Sequence, residues 1–353
     1  MNYILLITFI ASLGLGIFFN NFFIKRPIKF LIKKANKSAI RFSTQSKPIL
    51  GGLGFYAVFL IVIIASLLVL EEEIYLSKEY LSLLIIVTMS FVMGLADDII
   101  NTPPSFKFIV QFLCAFILIF NDIYIHISPI DWINYSITVL WVVGIMNSIN
   151  MLDNMDAITS LTSLSIIGGT IIFSIFYNTQ ISNFGLMVLL SVAGALLSFL
   201  FYNWSPSKMY MGDSGSQFLG AILAWVGISF FWNSVPIEEV QYSFNTKQAL
   251  IVALAYIIPL SDTTTVTINR LFRKQSPFMG GKDHTTHHLF YLGLSVRWVG
   301  ILYFILNSIG IFLSLYLINT GKDFNYSHLW LYFIFPVITF SFLYLNTKFT
   351  KIK

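Results

Sequence analysis

A single cysteine, Cys114, in 353 residues excludes a disulfide framework and any cysteine-based zinc site. Charge is almost as scarce. Asp, Glu, Lys and Arg make up 10% of the chain, against about 25% in soluble domains. A soluble fold cannot cover an interior that is 57% of its residues with so few charges, and disorder is excluded because disordered chains are apolar-poor and charge-rich. With a mean hydropathy of +0.80, the remaining class is an all-α polytopic membrane protein. A span needs about 20 apolar residues, so no large water-soluble domain fits and residues 1–353 read as one integral membrane unit. No internal repeat, low-complexity tract or inverted pair of broken helices is visible.

Long apolar runs predict about eleven transmembrane helices. They cover Tyr3–Phe23, Ile49–Leu70, Leu81–Ala96, Phe106–Phe120, Ile133–Met146, Leu161–Tyr177, Ile181–Tyr202, Gly215–Trp232, Ala249–Ile268, Trp298–Ile318 and Leu329–Leu345. The first has no basic residue before it and no small-residue cleavage pattern after it, so it reads as a retained span. An odd number of spans puts 18 of the 21 basic residues on one side, including the acid-free stretch from Lys25 to Lys47 and the segment from Arg270 to Arg297. The other side keeps Lys78, Lys247 and Lys322 beside Glu71, Glu72, Glu73, Glu238 and Glu239. By the positive-inside rule the N-terminus is outside and the C-terminus cytoplasmic. The net charge of +5 therefore sets topology or meets anionic lipid, and does not point to nucleic acid.

On that topology the unusual polar residues gather on the cytoplasmic face, in the segments 96–106, 147–158, 203–214 and 269–297. Asp97 and Asp98 end the third span, and Asp213 lies in Met-Gly-Asp-Ser-Gly-Ser before the eighth. Adjacent carboxylates at a membrane boundary resist double ionisation unless a cation sits on them. Three carboxylates without a thiolate suit Mg²⁺, with Mn²⁺ a second fit; helix-end capping is the plain alternative. Asn147, Asn150, Asp153 and Asp156 recur in steps of three, each falling about 60° short of a helical turn. They would wind around a helix end that wraps a polar ligand such as a nucleotide, or else form an ordinary wet helix terminus. His284, His287 and His288 would share a helical face at i, i+3 and i+4, near Arg270, Arg273, Lys274 and Lys282. Phosphate binding, a histidine metal site and a solvated loop are the readings of that segment. Asp262, within the ninth span, is either functional by its cost at that depth or satisfied by Ser261 and Thr263.

Taken in order, the Pro-x-x-Gly-Gly turn at Pro48–Gly52, the Asp97–Asp98 pair, the Asn-x-x-Asn-x-x-Asp-x-x-Asp run, Met-Gly-Asp-x-Gly-Ser and the histidine segment resemble the polyprenyl-phosphate N-acetylhexosamine-1-phosphate transferase family. The resemblance covers about Lys47 to Leu294. It implies transfer of a sugar-1-phosphate, with GlcNAc-1-phosphate the expected group, from a UDP-N-acetylhexosamine to a polyprenyl phosphate such as undecaprenyl phosphate, releasing UMP. It also implies a plasma-membrane enzyme with a cytoplasmic site, opening a cell-envelope polysaccharide pathway, and leaves room for a homodimer. Carried onto this sequence, the metal ligand is Asp213, and the acids near the lipid phosphate are Asp97 and Asp98 with Lys47 and Lys107 beside them. The nucleotide contacts are Asn147, Asn150, Asp153 and Asp156, and the sugar or phosphate contacts are His284, His287 and His288. The chain departs from the pattern at Asp156-Ala157-Ile158, where Asp-Gly-Leu is usual, at Asn154, where Gly is common, and at Ser46-Lys47-Pro48, which lacks the His usual before the turn. The Asp-His-x-x-His-His arrangement looks more like the UDP-N-acetylglucosamine branch than the muramoyl-pentapeptide branch, which is the alternative within the class. From another class, an ion-coupled transporter would use Asp262 as its ion site and would need polar sites on both faces.

Overall fold

The computed structural model describes residues 2–26, 47–69, 78–177, 181–234, 246–277, 281–320 and 328–350. The lysine-rich stretch read as a lipid-surface segment and the acidic connections at 71–73 and 238–239 lie outside these residues. Among the described residues the regular structure is helical: α1 Asn2–Lys25, α2 Gly51–Val69, α3 Lys78–Ile100, α4 Pro104–Phe120, α5 Asp131–Leu152, α6 Ile158–Tyr177, α7 Asn183–Asn203, α8 Gly212–Val226, α9 Thr246–Ala255, α10 Ile257–Phe272, α11 Thr285–Tyr291, α12 Val296–Asn319 and α13 Leu329–Phe349. Among the described residues, each of the eleven apolar runs lies largely on helix. Eight of the helical segments are long and apolar enough to cross a membrane, and nine are if α9 and α10 count as one.

Helix α8 is the axis of the bundle. Every residue of it except Asp213 is buried, and it packs against α2, α3, α5 and α6. It continues through a π turn at Gly227–Phe231. The outer helices present apolar side chains outward, as Phe342 and Ile338 of α13 do, which is where lipid replaces water as the surrounding medium. Helix α3 approaches α8 so closely that a Cβ at Gly94 would lie 2.3 Å from the Asp213 carbonyl oxygen. Glycine at 94 is thus what brings the end of α3 onto the start of α8.

The ninth run differs from its prediction, because α9 and α10 meet at 89° rather than forming one rod. Pro259 lacks an N–H and its ring crowds the carbonyl four residues earlier, so the helix breaks at Tyr256. Neighbouring side chains hydrogen-bond the backbone around the break. Ile258 N donates to Asn307 Oδ1 (3.4 Å), and the Pro259 carbonyl accepts from Ser148 Oγ (2.8 Å). The turn sends α10 beneath α11, the helix that carries the histidines.

Candidate active site

Two acids in the last turn of α3 sit at the negative end of a helix dipole, so each needs donors from elsewhere. Asp98 finds them on α8: Oδ1 accepts from Asp213 N and Oδ2 from Ser214 N, each at 2.9 Å. This carboxylate caps a helix whose own N-cap residue, Met211, supplies no side-chain cap. Gly212 makes the fit possible, since at φ +79° a side chain is strained, and a Cβ there would stand 2.7 Å from Asp98 Oδ2.

Asp97 accepts from Thr102 Oγ1 (2.7 Å) and faces Lys107 Nζ at 2.9 Å. Lys107, in the first turns of α4, also lies 2.5 Å from Asp213 Oδ2. Two carboxylates from different helices therefore converge on one ammonium group. Their donors are hard oxygens, so the pair fits a divalent cation of the Mg²⁺ or Mn²⁺ type. The three-acid ligand set expected from sequence does not form. Both oxygens of Asp98 face backbone N–H groups, and among the described residues no group of three or more His, Cys, Asp or Glu is gathered for a metal.

The family resemblance implies Lys47 beside Asp97 and Asp98. Instead its Nζ donates to Ser207 Oγ (3.1 Å) and lies 5.3 Å from the centre of the Tyr210 ring. Ser207 in turn donates to Asp156 through N (3.0 Å) and Oγ (2.7 Å). The cause is a short strand-like pairing, in which Tyr210 N donates to the Pro48 carbonyl and Gly51 N to the Tyr210 carbonyl. That pairing lays the segment before α2 along the segment before α8.

The Asn/Asp run does not wind around a single helix, because α5 ends at Leu152 with Asp153 as its C-cap. Asn147 and Gln111 exchange amide hydrogen bonds inside the bundle, and Gln111 reaches Gln217 of α8 (3.2 Å). Asn150 Nδ2 donates to Ser216 Oγ (2.8 Å), next to Asp213. Asp156 lies in the turn beyond the helix, and the residue after it, Ala157, holds φ +67° with its N–H on Asn203 Oδ1. The departure from Asp-Gly-Leu thus falls on a left-handed position.

The histidine segment also differs from a solvated helix face. His284 is the N-cap of α11 in extended backbone, and His287 and His288 lie within the helix; all three are buried. Asp262 hooks the segment to α10, facing His284 Nδ1 at 2.8 Å and accepting from Thr285 N (2.9 Å) and Thr285 Oγ1 (2.5 Å). Arg270 and Arg273, which make this segment look basic in sequence, are paired with Asp283. A guanidinium as buried as that of Arg270 needs a counter-ion, and Asp283 is the acid within reach. Burial alone would raise the Asp283 carboxyl, but the hydrogen bonds and charges of Arg270 and Arg273 outweigh it and hold it at about 2. Burial, reinforced by the charge of His284, lowers His287 to about 3, and burial also lowers His288. The supporting residues Thr102, Gln111, Ser207, Thr285 and Thr350 carry no motif, and only their contacts in space identify them.

Glycosyl transferase family 4 matches residues 80–231. The chain is 28% identical over 294 residues to a probable undecaprenyl-phosphate N-acetylglucosaminyl 1-phosphate transferase of Bacillus subtilis, covering 77% of this chain and 76% of that protein. It is 31% identical over 260 residues to a phospho-N-acetylmuramoyl-pentapeptide-transferase of Campylobacter lari, covering 62% and 71%. It is also 32% identical over 126 residues to a decaprenyl-phosphate N-acetylglucosaminephosphotransferase of Mycobacterium tuberculosis, covering 32% and 30%.

Proposed function

This chain belongs to glycosyl transferase family 4, an enzyme family of phospho-sugar transfer, and from that premise we propose that it moves N-acetylglucosamine-1-phosphate from UDP-N-acetylglucosamine to undecaprenyl phosphate, releasing UMP. The observation that carries this reading is the meeting of Asp97, Lys107 and Asp213, with Asp98 holding the backbone that presents Asp213. Phosphoryl transfer is mainly positioning and charge neutralisation, and a cluster of fixed charge at a helix N-terminus is suited to both. A lipid phosphate oxygen attacks the phosphorus linked to the sugar. The bond from that phosphorus to the bridging oxygen breaks, and UMP departs with the electron pair. A phosphate monoester has a second pKa near 6, so the nucleophile is largely dianionic at pH 7 without a strong base. Mg²⁺, held by Asp213 with Asp97, would neutralise pyrophosphate charge. Asn150, Asp153, Asp156 and Lys47 line the approach for the nucleotide, Lys107 steers the lipid headgroup, and the histidine segment contacts the sugar. Asn147 braces the floor of the site through Gln111.

The whole chain acts as one membrane domain of eleven spans, with the N-terminus outside and the site cytoplasmic. Counting the bent pair once and adding the shorter apolar helices of α2 and α4 supports that number, and the basic residues support the orientation. The likeness to the Campylobacter lari protein keeps a muramoyl-pentapeptide donor as the second reading. The test is UMP release by detergent-purified protein given undecaprenyl phosphate, Mg²⁺ and a panel of UDP-amino sugars. UMP that requires lipid and metal, appears with UDP-N-acetylglucosamine and vanishes in Asp213→Asn is expected. Its appearance only with the muramoyl-pentapeptide donor would favour the second reading, and a folded protein silent with every donor would overturn both.

A further inference from the structure

The hydrogen bonds around α11 define which nitrogen of each histidine carries its proton. Thr350, just beyond α13, donates its hydroxyl proton to the Asn346 carbonyl at 2.7 Å. A hydroxyl has one proton to give, so the contact between Thr350 Oγ1 and His288 Nδ1 requires the histidine to donate. At His287 the pattern is reversed, because Nδ1 accepts from His284 N (3.3 Å) and its proton must sit on Nε2. Two neighbouring imidazoles are thus held in opposite tautomers.

We propose that Thr350 is a positioning residue that fixes His288 as the Nδ1–H tautomer, so that His288 meets substrate as a hydrogen-bond acceptor through Nε2. Burial keeps the ring neutral at pH 7, which leaves the Nε2 lone pair in place. A lone pair repels phosphate oxygens and welcomes O–H or N–H donors, so this histidine recognises the hydroxyl or acetamido N–H of an amino sugar rather than the pyrophosphate. The identity of the sugar rests on the function proposed above, whereas the tautomer does not. Thr350 lies far outside the family match at residues 80–231. It reaches the site because α13 packs on α11 and α10, where Asn269 also bonds Thr347 (2.8 Å) and Lys348 (2.7 Å).

The test uses full-length protein labelled with ¹⁵N-histidine, with the His288 signal among the five histidines identified by its loss in His288→Gln. Wild type and Thr350→Ser are expected to show His288 with a protonated Nδ1 and an unprotonated Nε2. Thr350→Val, of nearly the same shape, is expected to lose that signature. With the active donor, Thr350→Val should raise KM about tenfold, the scale of one hydrogen bond, with a smaller change in kcat, and Thr350→Ser should restore wild-type values. A His288 protonated on Nε2 in wild type overturns the proposal, as does a Thr350→Val enzyme with wild-type KM. If Thr350→Val does not fold, the wild-type and Thr350→Ser spectra still decide the tautomer and Thr350→Ala supplies the kinetics. A wild-type enzyme that turns over no UDP-amino sugar would overturn the proposed function and the sugar contact with it, and leave the ¹⁵N result standing.

Discussion

Replacing Asp98 with Asn changes one atom of the link between α3 and α8. In the native protein both carboxylate oxygens accept from backbone N–H groups, at 2.9 Å each, in a buried setting. The carboxamide keeps one acceptor and turns an NH₂ toward the other N–H, so a charge-assisted bond is lost and two donors confront each other. A hydrogen bond to a charged group contributes about 1.5–3 kcal/mol, and a buried donor without an acceptor costs about 1–3 kcal/mol. Taken near the lower end of each, the change destabilises the capped first turn of α8 by about 3 kcal/mol, or roughly a hundredfold in population. Because that turn carries Asp213, turnover should fall by about the same factor while the bundle, held by the remaining length of α3 and α8, stays folded. The assay pairs UMP release with thermal unfolding in detergent. Asp98→Asn with wild-type turnover and an unshifted melting temperature would refute the cross-helix cap as the device that positions Asp213.

Ala157 should gain from becoming glycine, since its φ of +67° is a left-handed conformation that costs an L-residue about 1–2 kcal/mol. After the entropy cost of an added glycine, about 0.5–1 kcal/mol, Ala157→Gly is expected to raise the melting temperature by a few degrees; a lower one would contradict the strain. Acid should loosen the histidine segment. His287 stands at about 3 against an ordinary 6.5, so between those values the unfolded chain binds the extra proton and stability falls as pH drops. Asp283, at about 2 against 3.8, adds a loss in the same direction below pH 4. Each proton contributes a slope of at most about 1.4 kcal/mol per pH unit, measurable as unfolding midpoint against pH; a midpoint flat from pH 7 to 4 would rule out the buried neutral His287.

Membrane class and the position of every apolar run follow from composition and run length, because a bilayer of fixed thickness imposes a local requirement on each segment. The acids and histidines were equally visible, since charge is rare enough in this chain for each polar cluster to stand out. What those residues touch was not visible. Asp98 meets Asp213 N across 115 positions, and Lys107 bridges Asp97 to Asp213 across 106. Such pairings depend on how closely α3 and α8 approach, which Gly94 permits but does not announce. The pattern of steps of three misled at Asp153, where the helix ended, because a periodic run carries no information about its own termination. The basic look of the histidine segment is incomplete for a related reason. Asp283 is one acid among several bases in sequence, yet in space it takes both Arg270 and Arg273. The break at Pro259 and the arrival of Thr350 at His288 lie at the same limit. A sequence fixes which groups must be satisfied, and the packing of helices in three dimensions decides which group satisfies which.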